Sequence, residues 1–160
     1  MASTIPNIAK GRINEFVRNV DGNSPADSAF VVVLLQDTSI ETLDTLRDYD
    51  TLAAILANND EVTVASYSRL VLTDSDISGP TVDDSGNAQT WDVADQDFGA
   101  LEAGESVQGS VICYDPDTSG GTDADLIPVH ITRLDNPIAL NGEVFHWRTP
   151  NGLWAAEEPA

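Results

Sequence analysis

The stretch AFVVVLLQ, residues 29–36, constrains this chain more than any other. It holds three consecutive valines and no polar residue before Gln36. It is too short for a typical helix and shows no apolar–polar alternation. Such a run reads as a strand buried on both faces. The preceding DGNSPADS, residues 21–28, is a dense turn signal containing Gly22 and Pro25.

The remaining pattern is one of short strands and turns. RINEFVRNV (12–20) reads as a strand, with a helical turn as the competing reading, because Ile13, Phe16, Val17 and Val20 only partly alternate. DYDTLAAILANND (48–60) is the best helix. Asp50 is placed to cap it, Leu52, Ile55 and Leu56 supply its apolar face, and Asn58–Asn59 end it. SYSRLVLT (66–73) reads as a strand. TDSDISG then offers a capped single turn closed by Gly79–Pro80. A turn at Asp84 to Asn87 and a strand around Trp91 follow.

VQGSVICY (107–114) alternates, with Val107, Val111 and Cys113 on one face and Gln108, Ile112 and Tyr114 on the other. DLIPVHITRL (125–134) is its expected partner. EVFHWR (143–148) and NGLWA (151–155) read as a final hairpin turning through TPNG. The expected fold is mainly β: a single β-sandwich or jelly-roll-like domain with one or two short helices. A length of 160 residues suits one domain. Within it, residues 1–20 form an N-terminal arm and first strand, and residues 21–160 an acidic β-rich body.

Charge excludes several functions. Seven Lys and Arg against 27 Asp and Glu leave a net charge of −20. So acidic a chain repels nucleic-acid phosphates and has no basic helix for an anionic membrane, so neither direct partner is expected. Residues 1–20 depart from this, with Lys10, Arg12 and Arg18 against Glu15, so that −22 falls on the remainder. These three cations are the candidate contacts with an acidic protein surface. Neither an apolar signal core at the start nor an apolar run of membrane-spanning length is visible, so a soluble product is expected.

The chemistry-bearing residues are few. CYDPDTSGGTDADLIP (113–128) places Asp115, Asp117, Asp123 and Asp125 around a Ser-Gly-Gly centre. Counted as a calcium loop from Asp115, Asp117, Ser119 and Gly120 fall on the third, fifth and sixth positions, but the twelfth is Leu126, whose side chain offers no oxygen. The stretch therefore reads as a polar turn between strands, with those four aspartates as weak candidates for a loop-bound calcium or magnesium ion. No other cofactor is expected.

His130 and His146 lack a zinc-ligand spacing. The sole cysteine, Cys113, rules out an internal disulfide and reads as a small buried side chain. No nucleophile elbow, phosphate loop or dinucleotide fingerprint is present. No catalytic residue is assigned, and the protein is expected not to be an enzyme. The competing enzyme reading would be metal-dependent and built on His130, His146 and the loop aspartates. Trp91, Trp147 and Trp154 read as core or interface packing, with a sugar-stacking platform as the alternative.

Several stretches taken together resemble a group of small structural proteins of tailed bacteriophages. They are TIPNIAKGRINEFVRNV, DGNSPADSAFVVVLLQ, RDYDTLAAILANN, RLVLTDSDI and VICYDPDTSGGTDADLIPVH, covering most of the first 130 residues. FHWRTPNGLWAAEEPA at the C-terminus fits less distinctly. The resemblance implies a virion component made in the host cytoplasm, of the head decoration or cement kind, and brings no catalytic residue with it. The expected partner is the major capsid protein, bound on the outer head surface. A homo-oligomer, with a trimer favoured, would suit a local three-fold site on the shell. The alternative is a tail or baseplate component that recognises host glycans through its tryptophans.

Overall fold

A computed structural model describes residues 1–85, 88–149 and 154–157. AFVVVLLQ forms β2 (Ala29–Gln36), every residue of which is buried except Gln36 at its end. Alternation along this strand divides the interior in two. Phe30, Val32 and Leu34 enter one apolar cluster, whereas Val31, Val33 and Leu35 enter a second on the opposite face.

β2 lies within a five-stranded antiparallel sheet in the order β1-β8-β7-β2-β3. Its other strands are β1 (Ala2–Thr4), β3 (Leu70–Leu72), β7 (Ser106–Asp115) and β8 (Ile127–Ala139). The expected pairing of residues 107–114 with 125–134 is the β7–β8 ladder. One face of this sheet is covered by α2 (Leu43–Leu46) and α3 (Leu52–Leu56), through Leu46, Leu52 and Ile55. The other face carries α1 (Ile13–Asp21) and two smaller antiparallel sheets. These are β10-β5-β4, from β4 (Ile77–Asp83), β5 (Ala88–Val93) and β10 (Trp154–Glu157), and β6-β9, from β6 (Gln96–Ala100) and β9 (Val144–Trp147). The architecture is mainly β and sandwich-like, with three short α-helices and single 3-10 turns at Asn7–Ala9 and Asp74–Asp76 among the described residues.

Five local expectations are corrected. Residues 13–21 are helix α1, not a strand. Ile13, Phe16, Val17 and Val20 recur at three, four and seven residues, which is the helical period and fits a pleated strand poorly. Phe16, Val17 and Val20 are buried on that stripe. The arm therefore contributes to the core and has only β1 as a strand.

Helix α3 is capped by Thr51, whose side chain accepts from the Ala54 amide at 3.2 Å, and not by Asp50. Gly79–Pro80 does not close a turn, because β4 runs through it with a register shift between Ser78 and Thr81. Gly79 makes this irregularity feasible. Its φ is +124°, and a Cβ there would lie 2.9 Å from the Thr90 carbonyl oxygen.

Val107 faces the same cluster as Ile112 and Tyr114, while Val111 and Cys113 face the other. A register shift between Val107 and Gly109 reverses the alternation at that point. Finally, residues 143–148 and 151–155 do not form a hairpin: β9 pairs with β6, and β10 pairs with β5. The expected TPNG turn lies largely outside the described residues, as do Gly86 and Asn87 of the turn expected after Asp84.

Candidate functional site

The aspartate loop lies between β7 and β8, and its own geometry consumes its carboxylates. Asp115 Oδ1 accepts from the Asp117 amide at 3.0 Å. Asp117 Oδ1 accepts from the Ser119 amide at 3.0 Å and the Ser119 hydroxyl at 2.5 Å. Those bonds hold the Asp117 carboxyl below the usual carboxylate range. Asp125 Oδ2 accepts from the amide and hydroxyl of Thr122, at 2.8 and 3.0 Å. These are turns built by aspartate side chains on nearby backbone amides.

Asp123 has a different role. Arg69 donates to its two oxygens at 2.5 and 3.1 Å and to Glu61 at 2.8 and 2.6 Å. Backbone bonds from Leu52 to Leu126 and from Ala53 to Asp123 then dock the loop on the start of α3. Leu126, at the twelfth loop position, is buried in the second apolar cluster. Among the described residues, no three His, Cys, Asp or Glu side chains converge in a way that would hold a metal ion.

The N-terminal cations are placed separately. Lys10 Nζ donates to Asn7 Oδ1 at 2.8 Å. Arg12 bonds Glu15 through two nitrogens at 3.1 Å and stacks over the Phe16 ring at 4.6 Å. Arg18 is exposed on α1. It lies six residues from Arg12, about two-thirds of a turn out of phase. Among the described residues neither Lys10 nor Arg18 forms an ion pair with a carboxylate, so these two retain charge for a partner, while the charge of Arg12 is met by Glu15.

Both histidines line one cleft of about 170 Å³ between the large sheet and the β6–β9 ribbon, and the loop aspartates do not. His146 Nδ1 meets Asp97 Oδ1 at 2.6 Å. Arg148 joins the same oxygen at 3.0 Å and reaches Asp95 at 3.3 Å. The Asp97 carboxyl is held low by His146 first and Arg148 second.

His130 is 7 % exposed, and burial pushes its imidazole down to about 4. The Ser110 hydroxyl accepts from Trp147 Nε1 at 3.3 Å. No hydrogen bond joins Ser110 to either histidine among the described residues. Cys113 is wholly buried, which raises its thiol well above the usual range.

Trp91 and Trp147 are 2 % and 7 % exposed, and Trp91 Nε1 donates to Asn14 Oδ1 at 2.9 Å. Both are core residues. The side chain of Trp154 lies outside the described residues.

Sequence reasoning missed the Glu61–Arg69–Asp123 and Asp97–His146–Arg148 clusters. Asp97 and His146 are register partners of β6 and β9. Once β9 is assigned to a hairpin with 151–155, that pairing becomes invisible. Comparisons of the chain with protein-family models, with curated proteins and with solved structures found no match.

Proposed function

We propose that this protein is a non-enzymatic structural component of a bacteriophage particle. In this reading it decorates the outer surface of the head and stabilises the shell by bridging copies of the major capsid protein. The observation that carries the reading is how the chain disposes of its reactive groups. The loop carboxylates are spent on turns and on Arg69, the thiol is sealed in the core, and Ser110 is engaged by Trp147. Lys10 and Arg18, in contrast, are left for a partner on a chain of net charge −20. The resemblance of most of the first 130 residues to small phage virion proteins points the same way.

In this mechanism the N-terminal region, with Lys10 and Arg18 foremost, meets acidic shell surface, and the acidic remainder faces solvent. A trimer on a local three-fold site would present three such regions at once. The glycan-binding alternative is weakened by the burial of Trp91 and Trp147, which are packed in the core and do not form an exposed surface platform. The metal-dependent enzyme reading is weakened by the separation of His130 and His146 from the loop aspartates.

Rebinding to heads stripped of the protein tests the assignment. The wild type is expected to bind saturably, and the double variant Lys10→Glu, Arg18→Glu to bind at least tenfold more weakly. Equal binding by the two would remove Lys10 and Arg18 from the interface. No binding of wild type to heads would remove the assignment itself.

A further inference from the structure

The cleft between the large sheet and the β6–β9 ribbon has a chemistry that the particle assignment does not use. Its floor is polar at three points. Thr132 on β8 is the register partner of Ser110 on β7. His130, two residues from Thr132, faces the same way. All three line the cavity, and Val107, Phe145 and Trp147 contribute to its walls. Met1 and Ile138, two of the large apolar side chains left most exposed, also line it.

His130 is the telling member. Although its residue is 93 % removed from solvent, its one contact is a long 3.5 Å approach of Nδ1 to the Thr132 hydroxyl. Its Nε2 makes no hydrogen bond among the described residues and is not sealed from solvent, so a polar group entering the cleft can reach it. Ligand cavities commonly combine this kind of apolar wall with a few convergent polar groups.

Size and charge narrow the occupant. A volume of about 170 Å³ is close to the ~150 Å³ of an apolar cavity that admits benzene. Burial keeps the imidazole neutral at pH 7, so it presents one donor and one acceptor. The cationic groups of the lining residues are already paired, Arg148 with Asp95 and Asp97 and the N-terminal ammonium of Met1 with Asp135. A carboxylate or phosphate in this cleft would therefore lack a free counter-charge and would face the field of a −20 chain.

We propose that this cleft is a binding site for a neutral, single-ring compound bearing one hydroxyl group, with the ring against Phe145 and Trp147 and the hydroxyl bonded to His130. The site is independent of the particle assignment and stands or falls without it.

The test is titration of the full chain with phenol, benzene and benzoate. Calorimetry reads affinity, and NMR of the His130 imidazole and the Phe145 ring reads location. Phenol is expected to saturate, to shift His130, and to bind about fivefold tighter than benzene, the scale of one neutral hydrogen bond. Benzoate is expected to bind at least tenfold more weakly than phenol. The variant His130→Leu should bring phenol down to the affinity of benzene.

Absence of any saturable response to phenol in the wild type would overturn the proposal. So would equal affinities for phenol and benzene in the wild type, which needs no variant to fold, or a phenol preference that survives in folded His130→Leu.

Discussion

Arg69 holds Asp123 through both terminal nitrogens, at 2.5 and 3.1 Å, across 54 residues of sequence. The same guanidinium holds Glu61, whose residue bridges to Leu35 at the end of β2. A single side chain thus ties the aspartate loop, the segment before β3 and the central strand together. Its planar fork suits two carboxylates at once, which an ammonium would not. Without it, Asp123 and Glu61 would face each other as like charges in a half-buried setting.

Replacing Arg69 by Met should destabilise the fold by about 2 to 4 kcal/mol, below the ~3–5 of fully buried pairs, because these side chains keep 19 to 38 % exposure. Asp123→Asn should cost less, since Arg69 keeps Glu61. Urea denaturation midpoints measure both. Arg69 also sets the acid behaviour of Asp123, whose carboxyl it holds below the ordinary value of 3.8. The folded value lies below the unfolded one. This contribution is therefore complete above the ordinary value and is lost as the pH falls through the lowered one.

His130 titrates the other way from the usual histidine pair. Burial lowers its folded value from 6.5 to about 4, so below pH 6.5 the unfolded chain binds the extra proton. Its contribution is complete above pH 6.5, declines between 6.5 and about 4, and is flat below. A shift of this size corresponds to about 3 kcal/mol. Denaturation midpoints against pH should show the decline in wild type and lose it in His130→Leu. A decline of the same size in both would place its origin elsewhere.

How much of this was legible in the sequence depended on whether an element is decided locally. AFVVVLLQ carries its own answer, because an unbroken β-branched run has few other solutions, and β2 occupies the expected residues. The 107–114 and 125–134 ladder was equally visible. Helix α1 was present in the spacing of Ile13, Phe16, Val17 and Val20, but partial alternation in nine residues masked it. The face of Val107 was not readable, since it turns on a register shift that only the partner strand imposes. The failure of a C-terminal hairpin has the same origin. β9 and β10 each pair with a strand more than forty residues away, and adjacency in sequence misled. The aspartates were assigned to a turn correctly, but Arg69 as the partner of Asp123 was beyond reach, because nothing local links residue 69 to residue 123.

Cys113 reports on opening of the core. It is wholly buried between β2 and β8, and its thiol resists ionisation. Labelling by a thiol reagent should be on the order of 10³-fold slower in native buffer than in denaturant, because reaction waits for unfolding. Labelling at the unfolded rate under native conditions would contradict the packing of β2, β7 and β8.

Mutual repulsion among the carboxylates should be visible in salt. The chain carries −20, and raising NaCl from about 0.01 M to about 0.15 M shortens the screening length from ~30 Å to ~8 Å. The melting temperature should rise by several degrees across that titration. A flat response would mean that the surface charges are already compensated locally.

The particle assignment meets its most direct test in the composition of the particle. Quantitative mass spectrometry of purified phage heads, freed of tails, should find this chain at a copy number close to that of the major shell protein. Absence from the heads, or only a few copies per particle, would contradict a decoration role.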